Sequence, residues 1–173
     1  ETRLELTINV VAKVNLVPLA RYRFETLGET TPNEIEGEAT VTGSSATLVK
    51  GVEGNALSLA GGTYLKQKAY DKIQLGDRDF TIELWFKSTT SAAYMLHKGS
   101  LGANSSTGAT GNWVGIEYKN GNLRFAIDDD KQKSEASAAA SECFDGTWHH
   151  VVCVRDGMTK QLKLYIDGAL AGD

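Results

Sequence analysis

Apolar and polar residues alternate with a period of two along most of this chain. In the clearest run one set of side chains is apolar and the other is polar or amphipathic: Phe80, Ile82, Leu84 and Phe86 against Thr81, Glu83, Trp85 and Lys87. Successive side chains of a β-strand point to opposite faces, so the pattern predicts strands with one face on a core. Short strands between Gly-rich turns, with no long helical period, predict an all-β sandwich or barrel.

The length of 173 residues predicts one domain with a short extra segment. Residues 1–18 are interpreted as a β-strand and linker, the tail of a preceding domain, and residues 19–173 as the domain itself. Residues 162–171 read as a strand, an Asp-Gly turn and the start of a return strand, and the chain stops at Asp173. We therefore expect the last strands of the domain to be absent.

Charge and hydropathy argue against nucleic-acid binding and against a membrane-spanning segment. The net charge is -4, whereas nucleic-acid binding needs a basic face or stripe. No apolar run reaches the roughly 18 residues of a membrane span. We expect neither a nucleic acid nor a membrane span.

The pair Asn120–Gly121 lies between two alternating runs, 114–118 and 123–127, and predicts a tight hairpin. That register places Glu117 opposite Arg124 and Trp113 opposite Asp128. The predicted ligand-binding site is therefore an aromatic and polar patch on the outward face, made of Trp113, Glu117, Arg124 and Asp128. A structural salt bridge beneath the polar loop at 100–112 explains the same residues equally well.

Four stretches, in order, carry a family resemblance: Ala20–Phe24, Gly51–Gly62, Asp79–Lys87, and Asp145–Gly157 with Leu162–Gly168. Together they resemble the concanavalin A-like lectin/glucanase superfamily, in its laminin G-like, pentraxin-related branch. The resemblance implies a jelly-roll sandwich of two antiparallel sheets, one with a concave face. A strand at 4–10 ahead of such a domain is similar to surface lipoproteins of Bacteroidetes glycan-uptake systems.

The resemblance implies a non-catalytic, carbohydrate-binding module of an exported or cell-surface protein, with a glycan as its ligand. The alternative is a structural or protein-interaction laminin G-like module, which would bind a protein partner. A glycoside hydrolase is a third class, but the Glu-x-Asp-x-(x)-Glu motif of the family's hydrolases is absent. The nearest acidic cluster, Glu34–Glu38, is interpreted as a solvated charged edge, and no catalytic residue is assigned.

Members of the family often bind calcium after the opening strand. Here that region offers Glu25, Glu29, Asn33 and Glu34 but no Asp, and calcium needs about 6–8 oxygen ligands. We therefore assign no metal site and expect no cofactor.

The remaining candidate residues receive structural interpretations. Trp85 and Trp148 are expected to pack in the core or between sheets. Residues 134–143 could form one helical turn or a loop, and we favour a loop or irregular strand. Cys143 and Cys153 either form a disulfide or remain buried thiols. His149 and His150 are strand neighbours that cannot chelate one ion together. Nothing in the sequence assigns a role to the remaining three ring residues: Tyr64, Tyr94 and His97.

Overall fold

The computed structural model describes residues 17–89, 93–101 and 111–173 of the chain. The chain divides into two compact units between Ile73 and Gln74. The predicted strand at 1–14 lies outside the described residues, and only residues 17 and 18 of the linker after it are described. The predicted domain boundary at residue 18 therefore stays a prediction.

The first unit contains short antiparallel strands: β1 (Thr30–Pro32), β2 (Glu38–Thr42), β3 (Ala46–Lys50), β4 (Asn55–Leu59) and β5 (Tyr64–Gln67). Strands β1, β2 and β5 form a three-stranded sheet, and β3 and β4 form a hairpin. A 3-10 turn at Asp71–Ile73 follows them.

The opening strand predicted at Ala20–Phe24 is wrong, because this segment joins no ladder within the described part of the chain. The Arg21 N–H donates to Asn33 Oδ1 at 3.0 Å, and the Arg21 carbonyl accepts from the N–H of Glu34 at 2.9 Å. Phe24 has φ 57°, in the left-handed region, which interrupts an extended run. This segment alternates like a strand but is held by isolated hydrogen bonds and ion pairs, among them the bond from the Tyr22 hydroxyl to Gln67 Oε1.

Among its described residues, the second unit contains eight strands: β6 (Phe80–Phe86), β7 (Ala93–Leu101), β8 (Gly111–Lys119), β9 (Asn122–Asp129), β10 (Lys133–Ala139), β11 (His149–Asp156), β12 (Gln161–Ile166) and β13 (Ala169–Gly172). They form two four-stranded sheets. The front sheet has the order β10-β9-β8-β7, and the back sheet has the order β13-β12-β11-β6. Every pairing is antiparallel.

The core of this unit lies between the two sheets. Ile116, Leu123 and Phe125 of the front sheet belong to one buried cluster with Val151, Cys153 and Leu164 of the back sheet. Each of these side chains is fully buried. The arrangement confirms the predicted all-β antiparallel sandwich, of the jelly-roll class.

The predicted loop or irregular strand at 134–143 is mostly wrong. Residues up to Ala139 form the regular strand β10, and a 3-10 turn at Ser141–Phe144 follows. Ala136 is fully buried and lies opposite Phe125 in the ladder. Alanine and serine have weak strand propensity, but small side chains fit this packed layer beside a large aromatic ring.

The predicted polar loop at 100–112 is shorter than expected. Strand β7 continues to Leu101, and β8 begins at Gly111. Residues 102–110 between them lie outside the described residues.

Candidate functional site

The outer face of the front sheet points away from the core, and the strand register gives its rows. The first row is Gly99, Trp113, Asp128 and Lys133, the second is His97, Gly115, Ala126 and Glu135, and the third is Tyr94, Glu117, Arg124 and Ser137. We call these three rows the outer patch. All of the predicted site residues belong to it.

The hairpin that aligns the patch forms as predicted. Asn120 has φ 53° and Gly121 has φ 82°, the two positive values that a tight hairpin turn needs. In the resulting register Glu117 lies opposite Arg124, and Trp113 lies opposite Asp128. The predicted juxtaposition of the four residues is therefore confirmed, although nothing yet tests whether they bind a ligand.

Asp128 lies at the base of the patch and not on its surface. Its side chain is 2% exposed, and its Oδ1 accepts from the N–H of Asp130 at 2.8 Å. Asp130 has φ 66°, so this bond holds a left-handed turn residue between β9 and β10. The burial gives Asp128 a structural role in the β9–β10 turn.

Arg124 is the centre of the polar half of the patch. Its Nη1 donates to Glu117 Oε1 at 3.0 Å, and its Nη2 donates to Glu135 Oε2. Lys133 Nζ lies 3.5 Å from the same Glu135 oxygen. Partial burial acts to raise the pKa of Glu135, but the hydrogen bond from Arg124 and the two nearby cations lower it overall. Glu135 is therefore held as a carboxylate.

Aromatic rings form the other half of the patch. The His97 ring lies 5.7 Å from the Trp113 ring and 6.1 Å from the Tyr94 ring, measured between centroids. Lys133 Nζ lies 5.6 Å above the Trp113 ring, within cation–π range. Partial burial, followed by the charge of Glu117 and a hydrogen bond with it, raises the pKa of Tyr94. Lys133 and Tyr94 therefore each join the aromatic half of the patch to the polar half.

The side chains of the patch surround a floor of small residues. Gly115 and Ala126 lie opposite each other in the middle row, and both are buried. A Cβ atom at Gly115 would lie 3.2 Å from Cζ3 of Trp113. The indole ring therefore lies directly over Gly115, and any side chain there would displace it.

Two donors of the patch lack an acceptor among the described residues. They are Nε1 of Trp113 and Nε of Arg124, and both atoms are buried. An unsatisfied buried donor costs roughly 1–3 kcal/mol.

Four aromatic or charged residues of the patch were absent from the predicted site: Tyr94, His97, Lys133 and Glu135. Tyr94 and His97 lie on β7, whose register shifts between Tyr94 and Leu96. Lys133 and Glu135 lie on β10. Glu135 falls in the region interpreted as a loop or irregular strand, and Lys133 directly precedes that region. The alternation of Lys133 and Glu135 around Ser134 was the available signal, but it is only three residues long.

Trp85 does not pack in the core, which corrects the prediction. It is 51% exposed on the outer face of the back sheet and stacks on His150, with ring centroids 4.7 Å apart. The alternation that places Thr81 and Glu83 outward also places Trp85 outward. Trp148 is half-buried and immediately precedes β11.

The two adjacent histidines lie on opposite sides of β11, as predicted. His149 Nδ1 lies 2.8 Å from Asp167 Oδ2, and its Nε2 lies 3.3 Å from Asp145 Oδ1. The hydrogen bond with Asp167 is the main cause that raises the pKa of His149. Asp167 Oδ1 also accepts from the N–H of His150 at 2.8 Å. The Asp167 carboxylate therefore connects the β12–β13 turn to β11.

The cysteines are free and buried, which decides between the two alternatives. Cys153 lies between Ile82 and Leu164 in the back sheet, and Cys143 lies in the 3-10 turn. Burial raises the pKa of the Cys153 thiol to about 12 and also raises that of Cys143. Neither thiol has the character of a nucleophile.

The region considered for calcium uses its polar atoms internally. Asn33 is buried, its Oδ1 accepts from two backbone N–H groups, and its Nδ2 donates to Tyr70. Glu34 Oε2 lies 3.4 Å from Arg21 Nε. Across residues 17–89, 93–101 and 111–173, no three His, Cys, Asp or Glu side chains converge as a metal site. The expectation of no cofactor stays a prediction.

Comparison with known proteins places the chain in a family. The model of a laminin G family, Laminin_G_3, described as "Concanavalin A-like lectin/glucanases superfamily", matches residues 59–173. Eleven chains among the solved structures match, and no curated protein does. One of the structures is "Mouse laminin alpha1 chain, domains LG4-5", with 23% identity and a TM-score of 0.41. The match covers 55% of this chain and 24% of that chain.

In the described part of the chain, no helix has the length and hydropathy to cross a membrane.

Proposed function

The chain belongs to the concanavalin A-like lectin/glucanases superfamily, and we propose that it is a non-catalytic carbohydrate-binding module of an exported or cell-surface protein. The outer patch is the proposed binding face. A family fold hosts many functions, so the proposal depends on the patch and not on the fold.

The observation that carries the proposal is the pairing of aromatic rings with ionised polar groups around a small floor. Tyr94 is 66% exposed beside His97, which in turn contacts Trp113, and such rings can stack on the apolar face of a pyranose. Glu117 and Glu135 offer acceptors for sugar hydroxyls. A few convergent polar groups beside apolar surface are typical of small-ligand sites.

The electrostatics of the patch favour binding over hydrolysis. A glycosidase needs one carboxyl group that keeps its proton, with a raised pKa, beside a second carboxylate. Here Arg124 bonds both Glu117 and Glu135, and the pKa of Glu135 is lowered. Glu135 is therefore not prepared to act as a general acid.

A glycan array with the 173-residue chain tests the proposal, run with calcium and again with a chelator. Hits are then measured by calorimetry, where we expect dissociation constants of millimolar to micromolar, or about -4 to -8 kcal/mol. Trp113→Ala should abolish binding, and Trp113→Phe should retain part of it because the phenyl ring still stacks. Trp85→Ala is the matched control, since it removes an exposed ring from the other sheet.

Binding that survives Trp113→Ala but fails in Trp85→Ala would contradict the proposed face. Binding to no glycan under either condition would contradict the proposed function. Loss of binding in chelator would show a metal site that the described residues do not form.

A second candidate, a protein-interaction module, is favoured by the outer face of the back sheet. Trp85 and Leu170 are 51% and 55% exposed there, and Val152 and Tyr165 lie between their strands. Exposed apolar side chains on one face are typical of protein contacts. Under this alternative Trp85→Ala would abolish partner binding while Trp113→Ala would leave it unchanged.

A further inference from the structure

Both cations inside the outer patch are already bound by carboxylates. Arg124 Nη1 lies 3.0 Å from Glu117, its Nη2 bonds Glu135, and Lys133 Nζ lies 3.5 Å from Glu135. The cationic side chains are 19% and 27% exposed, whereas the Glu135 side chain is 39% exposed. An approaching ligand therefore meets a carboxylate before it meets either cation.

Each Lys and Arg of the patch is matched by a carboxylate. Glu117 and Glu135 are paired with Arg124 and Lys133. A sulfate or uronate on a sugar would need to displace a carboxylate from Arg124 or Lys133, and like charges in close contact are destabilising. A neutral sugar hydroxyl instead donates to the free lone pairs of the same carboxylates, with no ion pair broken.

Lys119 does not change this balance. It shares the face and has no carboxylate partner among the described residues, but it is exposed at the end of the hairpin. It lies six positions from Trp113 along β8, which is roughly 20 Å at the rise of a strand. A pyranose stacked on Trp113 does not reach it.

We infer that the outer patch selects neutral, hydroxyl-bearing glycans against sulfated and uronic-acid glycans, and that Glu135 is the residue that sets this selectivity. The inference rests on the proposed function. Glu135 is the bridging group, because its carboxylate contacts both Arg124 and Lys133.

The test compares three short probes on one backbone, which do not reach from Trp113 to Lys119: a neutral β-glucan disaccharide, its sulfated form and its C6-oxidised glucuronic form. If the array shows that the neutral hit has another backbone, the same three forms of that hit replace them. Calorimetry is run on wild type, Glu135→Gln and Glu142→Gln. Glu142 is exposed on the 3-10 turn, outside the patch, so Glu142→Gln controls for the change in net charge.

Wild type should bind the neutral form at least about tenfold more tightly than either anionic form. Glu135→Gln removes one of the two carboxylates that pair with Arg124 and the carboxylate that pairs with Lys133. The variant should therefore bind the sulfated form about tenfold more tightly than wild type does. Glu142→Gln should match wild type. Circular dichroism of each variant confirms that it is folded.

Tighter binding of wild type to an anionic form would overturn the inference and leave the proposed function intact. An unchanged affinity of Glu135→Gln for the sulfated form would also overturn it, since the ion pairs would not then exclude anions. Failure of wild type to bind any of the forms or any array glycan would overturn the proposed function and the inference with it.

Discussion

Arg124 stabilises the front sheet because it neutralises two carboxylates in a mostly buried position. The side chains of Arg124 and Glu117 are only 19% and 15% exposed. In Arg124→Met the aliphatic stem is kept and the charge is lost, so Glu117 is left buried without its cation. Glu135 keeps Lys133 at 3.5 Å and is less affected.

Removing one partner of a buried ion pair costs about 3–5 kcal/mol, and exposed pairs contribute about 0–1 kcal/mol. The partial exposure of this pair places Arg124→Met at about 2–4 kcal/mol. Glu117→Gln should cost only about 1 kcal/mol, because Arg124 still bonds Glu135 and glutamine still accepts a hydrogen bond. The double variant should be more stable than Arg124→Met alone, since no stranded carboxylate remains.

Urea unfolding at pH 7, followed by circular dichroism, measures the free energy of unfolding of each variant. Glu83→Gln is the matched control for Glu117→Gln, because Glu83 is 72% exposed and 4.0 Å from His150. It should change stability by less than about 0.5 kcal/mol. If Arg124→Met costs no more than Glu83→Gln, or if the double variant is the least stable of all, the burial argument is refuted.

Three further variants test the floor of the patch, the turn and the core. Gly115→Val should push the Trp113 ring off the floor, destabilise the chain by about 1–3 kcal/mol and weaken glycan binding in calorimetry, whereas unchanged affinity would show that the ring position is irrelevant. The hydrogen-bonded ion pair between Asp167 and His149 raises the pKa of His149 and lowers the pKa of Asp167. Its full contribution to the free energy of unfolding is therefore present between about pH 4 and 6.5. That stabilisation is lost as the pH rises through the folded-state pKa of His149 or falls through that of Asp167. Asp167→Asn should therefore cost about 0.5–1 kcal/mol in urea titrations at pH 5.5 and less at pH 9, and equal costs at both pH values would contradict the pairing. Phe125→Ala should cost about 3–5 kcal/mol in the same titrations, and a cost below about 1 kcal/mol would show that Phe125 is not central to the core.

The sequence alone predicted those features that depend on neighbouring residues. The Asn120–Gly121 turn dictates the register of β8 with β9, because only a tight turn with two left-handed residues connects them. Alternation then decides which side chains share a face. The contact between Glu117 and Arg124 therefore followed from local spacing.

The tertiary structure decided which strands flank that hairpin and how deep each side chain lies. The contribution of β10 depends on non-local pairing, since its Ala and Ser residues have weak strand propensity and form a strand only beside Phe125. The register shift in β7 brings Tyr94 opposite Glu117, and spacing along the chain cannot specify it. Burial of Asp128 and exposure of Trp85 likewise depend on what packs over each face, which is a property of the assembled sheets.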